Sequence, residues 1–133
     1  MVKPVNNFKK LADIARRKSQ FDKGNDWSAG SETYLAEIKK EVDEVIEELP
    51  KSRTCFLEDE LGDVLWDYLN IVVALEKEQG ISLDSVLARA QQKYEERVSG
   101  IESGELWKDI KQRQKTRLQE ELDAPLNPAR NKE

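Results

Sequence analysis

The chain has 133 residues, 37% charged and 38% hydrophobic, with 27 acidic side chains against 22 basic ones and a formal charge of −5. This length predicts one domain with a modest core, and only six glycines and four prolines in so charged a chain predict helices rather than a sandwich or barrel. The acidic balance excludes a general nucleic-acid binder, which needs a basic surface.

No histidine occurs, which removes serine–histidine and cysteine–histidine catalysis, imidazole-ligated zinc and the Glu-x-x-His di-iron pattern. One cysteine, Cys55, cannot form an internal disulfide, so a reducing compartment is expected. The opening "MVKPVNNFKK" has no apolar signal region, and no segment offers the roughly 18 uninterrupted apolar residues of a membrane span. The expectation is a cytoplasmic protein with no membrane association.

Apolar residues recur at helical spacing almost throughout. A first amphipathic helix is predicted over about residues 4–20, with Phe8, Leu11, Ile14 and Ala15 on one side and a basic face at Arg16, Arg17 and Lys18. "FDKGNDWSAGS" reads as a loop. A second helix is predicted from about Glu32 to Leu49, ended by Pro50. Ser52 or Thr54 is the expected cap of a third, which runs to about Gln79 and stops at Gly80. Ser82 is the expected cap of a fourth, reaching about Val98 and broken by "SGIESGE"; a fifth covers about Glu105 to Leu122. The expected fold is all-α, a bundle of about five helices in a single domain over residues 1–122. A flexible tail, "DAPLNPARNKE", is expected over residues 123–133, where two prolines leave little to bury.

At about 100° per residue, the second helix places Leu35, Ile38, Val42, Val45 and Leu49 in one stripe. Glu37, Glu41, Glu44 and Glu48 form another beside it. Like charges one turn apart repel, so this line calls for a counter-charge. The third helix holds the most apolar run of the chain, "FLEDELGDVLWDYLNIVVAL", yet includes Glu60, Asp63 and Asp67 along the edge of one face. That face comprises Leu57, Leu61, Val64, Leu65, Tyr68, Val72 and Leu75, and Trp66, Leu69 and Val73 occupy the opposite side. A helix apolar nearly all round is surrounded by protein. A four-helix core completed by self-association is therefore expected, with Gly62 admitting a second helix backbone. Antiparallel packing of the two helices would join their acidic stripes. Converging carboxylates without imidazole or thiolate suit a hard cation, Mg²⁺ first and Mn²⁺ second. The plainer alternative is a solvated face, since a Glu-x-x-Glu pair is nearly expected by chance in so charged a chain.

"EIKKEVDEVIEEL", followed by "EDELGDVLWDYLNIVVALEKEQGISLDSVLARAQQKYEERV", resembles the MazG family of all-α nucleoside triphosphate pyrophosphohydrolases. The resemblance covers roughly Trp27 to Lys111. It implies that Glu41, Glu44, Glu60 and Asp63 bind Mg²⁺ and act in catalysis, with Glu41 the favoured base. It implies also that Lys93 and Arg97, in "KYEER", contact phosphate; the plain reading of that pair is a solvated face. Trp107 and Lys111 match a "W-x-x-x-K" that recurs in the family without a settled role. Where many members have two consecutive glutamates, this chain has Lys40 before Glu41. Glu37, one turn earlier, is the candidate substitute, and the number of metal ions does not follow. Trp27, Trp66 and Asn70 are candidates for contact with the base, and "KDIKQRQKTR", Lys108 to Arg117, reads first as a solvated basic helix.

The implied reaction is hydrolysis of a nucleoside triphosphate between its α and β phosphates, in a house-cleaning role, by a homo-oligomer, dimer or tetramer. An all-α dUTPase and a phosphoribosyl-ATP pyrophosphohydrolase are the neighbouring alternatives. A non-catalytic helical nucleotide-binding or interaction protein is the alternative from another class.

Overall fold

The computed structural model describes residues 4–24 and 30–125. Five α-helices account for most of them: α1 Pro4–Asp22, α2 Ser31–Glu48, α3 Thr54–Gln79, α4 Leu83–Glu102 and α5 Trp107–Asp123. No strand occurs among the described residues. The chain divides into two compact units, Met1–Ser85 and Val86–Glu133. The expected tail falls mostly outside the described residues.

The first unit is an antiparallel α2–α3 hairpin with α1 laid against α3. Its core joins Ala12 and Ala15 of α1 to Leu69, Val72 and Val73 of α3 and to Leu83, with Phe8, Leu11 and Trp66 packed around them. Two alanines on α1 let its backbone lie close to α3, so the side of α3 carrying Trp66, Leu69 and Val73 is the one buried within the chain. On the other face Val72 joins that core, but much of the rest is open. Leu61 and Leu65 stand 51% and 37% exposed, and Leu35 and Val42 on α2 and Leu49 just after it lie between 43% and 58%. A Cβ built on Gly62 would meet nothing within 4 Å. Much of the broad apolar face that the sequence predicts to be covered is thus uncovered in a single chain.

Helix boundaries depart from the sequence reading where polar chemistry decides them. Pro50 does not stop α2 abruptly; the chain passes through a 3-10 turn, Leu49–Lys51, into Ser52 at φ 55°. Neither Ser52 nor Thr54 caps α3. The residue before it is Arg53, whose carbonyl accepts from Leu57 N at 3.0 Å. Gly80, at φ 71°, ends α3 in the left-handed conformation that glycine enters without a Cβ clash. Ser82 does act as the expected cap, accepting from Ser85 N at 3.1 Å.

α2 begins with a cap that comes from the far end of α3. Glu78 Oε2 accepts from Ser31 N at 2.9 Å, and its Oε1 accepts from Ser31 Oγ at 2.6 Å. These bonds hold the Glu78 carboxyl below its ordinary range. A carboxylate at a helix N-terminus satisfies orphan amide donors and opposes the dipole. Glu78→Ala is expected to destabilise the fold by about 1 kcal/mol, a few degrees in a thermal melt, while Glu78→Asp retains part of the cap.

The second unit is the α4–α5 pair. Gly100 is a point of close approach, since a Cβ there would stand 2.5 Å from Ile110 Cδ1. Ile110 is fully buried. α4 runs four residues beyond its predicted end, because Ser103 and Gly104 close it through bonds to the carbonyls of Ser99, Gly100 and Ile101.

Candidate functional site

The antiparallel register of α2 and α3 sets residue 44 near residue 60. Glu41 and Glu44 face Glu60 and Asp63, and each of the four offers one oxygen within 4.8 Å of the others. Glu41 and Glu60 are half-buried and Glu44 is exposed. The flanking acids of the stripe have cations of their own. Glu48 is gripped by Arg53 through Nε and Nη2 at 2.9 and 2.6 Å, which lowers its carboxyl pKa, and Lys40 pairs with Glu37 at 3.3 Å. Among the described residues no Lys or Arg pairs with Glu41, Glu44, Glu60 or Asp63.

The electrostatic consequence is uniform in sign. Desolvation, then hydrogen bonding and repulsion from Glu44, push the Glu41 carboxyl up to about 7. Glu60 is raised by its hydrogen bond to Glu44 and by burial, and Asp63 by burial and by Asp59 and Glu44. Asp67, one turn further along α3 and 6% exposed, is raised to about 6 by burial, with Glu37 and Asp63 adding to it. Glu41 Oε2, Glu60 Oε2 and Asp67 Oδ2 are buried without a hydrogen-bond partner. Buried carboxylate oxygens facing one another without a donor cost free energy. A divalent cation would remove that cost, and an all-oxygen donor set from two rigid helices suits a hard one. The residues fit such an ion.

In the second unit, Lys93 and Arg97 lie one turn apart on α4, beside α5. They line an open groove with Trp107, Lys108 and Lys111. Lys93 is exposed, whereas Arg97 is 8% exposed and packs its guanidinium against the rings of Tyr94 and Trp107, 5.3 and 5.1 Å from their centroids. The sequence therefore locates Arg97 correctly on α4 but not its burial.

Residues 29–101 match the MazG nucleotide pyrophosphohydrolase domain, more than half of the chain. The chain belongs to the MazG family. Its domain is that of the nucleotide pyrophosphohydrolases, and the matched segment contains the four clustered carboxylates together with Lys93 and Arg97. α1, Trp107, Lys111 and the rest of α5 lie outside it. No curated protein and no solved structure matches the chain. Among the described residues of this MazG protein no helix is long and apolar enough to cross a membrane.

The candidates for base contact are less gathered. Trp27 lies outside the described residues. Trp66 packs partly against the core, and Asn70 is 3% exposed, with its amide donating to Trp66 O at 2.9 Å. Two side chains at the α4–α5 groove were not singled out in the sequence. Gln114 touches Arg97, and Tyr94 lies beneath it. Gln114 was hidden within a run that reads as charge alone.

Proposed function

We propose that this MazG protein is a Mg²⁺-dependent nucleoside triphosphate pyrophosphohydrolase, converting (d)NTP to (d)NMP and pyrophosphate in a house-cleaning role. The supporting observation is the α2–α3 cluster of four carboxylates that lack a counter-cation and hold two buried, unpartnered oxygens. Glu41, Glu44, Glu60 and Asp63 are the proposed ligands, with Mn²⁺ as the substitute metal. When bound, the ion supplies charge neutralisation for phosphate oxygens.

The chain's own residues would do the rest. Water oxygen bonds to phosphorus beside the α–β bridge, the bond to the bridging oxygen breaks, and the water proton passes to a carboxylate. Glu41 is the proposed base, a half-buried carboxylate of the cluster that would stand beside the attacking water. Lys93 and Arg97 are the proposed phosphate contacts; they would stabilise the charge that grows on the transferred and leaving groups. Trp27, Trp66 and Asn70 are proposed to face the base.

The deciding experiment incubates each common NTP and dNTP with the protein, with and without Mg²⁺, and identifies the products. Monophosphate with pyrophosphate, only when the metal is present, is the expected result. Diphosphate with orthophosphate, or no turnover with either Mg²⁺ or Mn²⁺, would overturn it.

Self-association belongs to the same proposal. The uncovered faces of α2 and α3 repeat at helical spacing, with Ile46 and Leu49 59% and 58% exposed, as expected of a buried seam between copies. Light scattering after gel filtration is expected to give a dimer or tetramer. Ile46→Glu is expected to shift it towards monomer, and a monomeric wild-type protein at micromolar concentration would remove this element.

A further inference from the structure

Arg97 is a buried cation without an anion. At 8% exposure it has no carboxylate within ion-pair distance among the described residues, although acids stand close by. Glu96, its neighbour in sequence, is engaged elsewhere by Gln114, Arg113 and Arg117, which hold its carboxyl down at about 2. A desolvated guanidinium left unpaired is costly unless an anion arrives to meet it.

What Arg97 does have is a clamp from α5. Its Nε donates to Gln114 Oε1 at 2.7 Å, and the Gln114 amide nitrogen donates to Lys93 O and to Glu96 Oε1, both at 2.9 Å. This arrangement admits only one orientation of the amide. Arg97 can only donate and the Lys93 carbonyl and Glu96 carboxylate can only accept, so a flipped amide would oppose like groups at all three contacts. Trp107 and Tyr94 hold the guanidinium plane by cation–π contact. With Nε occupied, the two terminal nitrogens remain for a bidentate grip on an oxyanion. Lys93 and Lys111 line the same groove.

We propose that Gln114, on a helix outside the matched family segment, is a positioning residue that aligns Arg97 for the phosphates of the nucleotide or for pyrophosphate. This rests on the reading of Arg97 as a phosphate contact. α5 is then part of the phosphate-binding apparatus rather than a solvated basic helix.

The test is a double-mutant cycle on the full chain with Gln114→Met, Arg97→Ala and the pair. The readouts are kcat and KM for the best triphosphate and inhibition by inorganic pyrophosphate with Mg²⁺. Methionine fills the glutamine's volume but offers no amide. Gln114→Met is expected to lower kcat/KM on the order of 10- to 100-fold and to weaken pyrophosphate inhibition in parallel, with no further loss in the Arg97→Ala background. Gln114→Asn, whose amide is withdrawn by one methylene, replaces it if the methionine variant melts below the assay temperature. A defective Arg97→Ala beside a wild-type-like Gln114 variant, or losses that multiply in the pair, would overturn the role of Gln114 alone. An unimpaired Arg97→Ala would overturn the phosphate reading itself, and the role of Gln114 with it.

Discussion

Asp63→Asn is expected to lower Mg²⁺-dependent pyrophosphate release by on the order of 100-fold or more, while the metal-free protein melts at a higher temperature than wild type. The two halves have one cause. Asp63 stands among Glu41, Glu44 and Glu60, and burial together with Asp59 and Glu44 raises its carboxyl pKa. Its charge therefore opposes folding when no cation is present, and asparagine of nearly the same shape removes that repulsion. The same charge is what a divalent ion requires. Glu60→Gln is expected to behave alike, since Glu60 is raised by its hydrogen bond to Glu44 and has a buried, unpartnered oxygen. Thermal melts in EDTA and in Mg²⁺ would separate this from ordinary structural damage. Wild type should gain stability on adding Mg²⁺, and the variants should lose most of that gain. A variant that is inactive and also less stable without metal would mean that these side chains serve the fold.

The metal-free protein is also expected to become more stable as pH falls from about 8 to about 5, the reverse of the usual trend for a protein whose acids are salt-bridged. Glu41 titrates at about 7 in the folded protein against an ordinary 4.5, and Asp67 at about 6 against 3.8. Between those values the folded state binds more protons than the unfolded chain, so acidification favours it. The gain enters as pH drops through about 7 and then about 6, and is complete near the unfolded values. Further acid then reverses the trend. Glu48, Glu78 and Glu96 are held low by Arg53, Ser31 and Gln114 with its neighbouring arginines, and protonating them removes those bonds. Saturating Mg²⁺ should abolish the part of the gain that comes from Glu41, because the ion competes with protons for the same oxygens. Asp67→Asn should raise the melting temperature at pH 8 and remove the lower part of the transition. A melting temperature in EDTA that falls steadily below pH 8 would contradict the account.

Much of this was legible in the sequence, for reasons that are local. Glycines, prolines and a 3.6-residue apolar period specify helices through backbone sterics and side-chain spacing alone, so five helices were predicted close to their observed limits. The pairing of Glu-x-x-Glu with Glu-x-x-Asp was legible too, because residues three apart share a helix face and an antiparallel hairpin can register only a few ways. The local helix-end signals at Gly80 and Ser82 were legible, whereas the cap of α2 depends on a partner far along the chain. Glu78 reaches back 47 positions to cap α2 at Ser31, and no local pattern announces that bond. Which acids remain unpaired was likewise undecided by spacing. Glu48 and Glu41 look equivalent on a helical wheel, yet Arg53 follows Glu48 around a 3-10 turn and neutralises it, while Glu41 meets only other carboxylates. The burial of Arg97 between two rings and its alignment by Gln114 required α5 to fold back on α4. Period and composition determined that this chain is helical and that its acids gather. Only tertiary packing decided which charges lack partners, because desolvation and pairing depend on what the rest of the chain brings to each side chain.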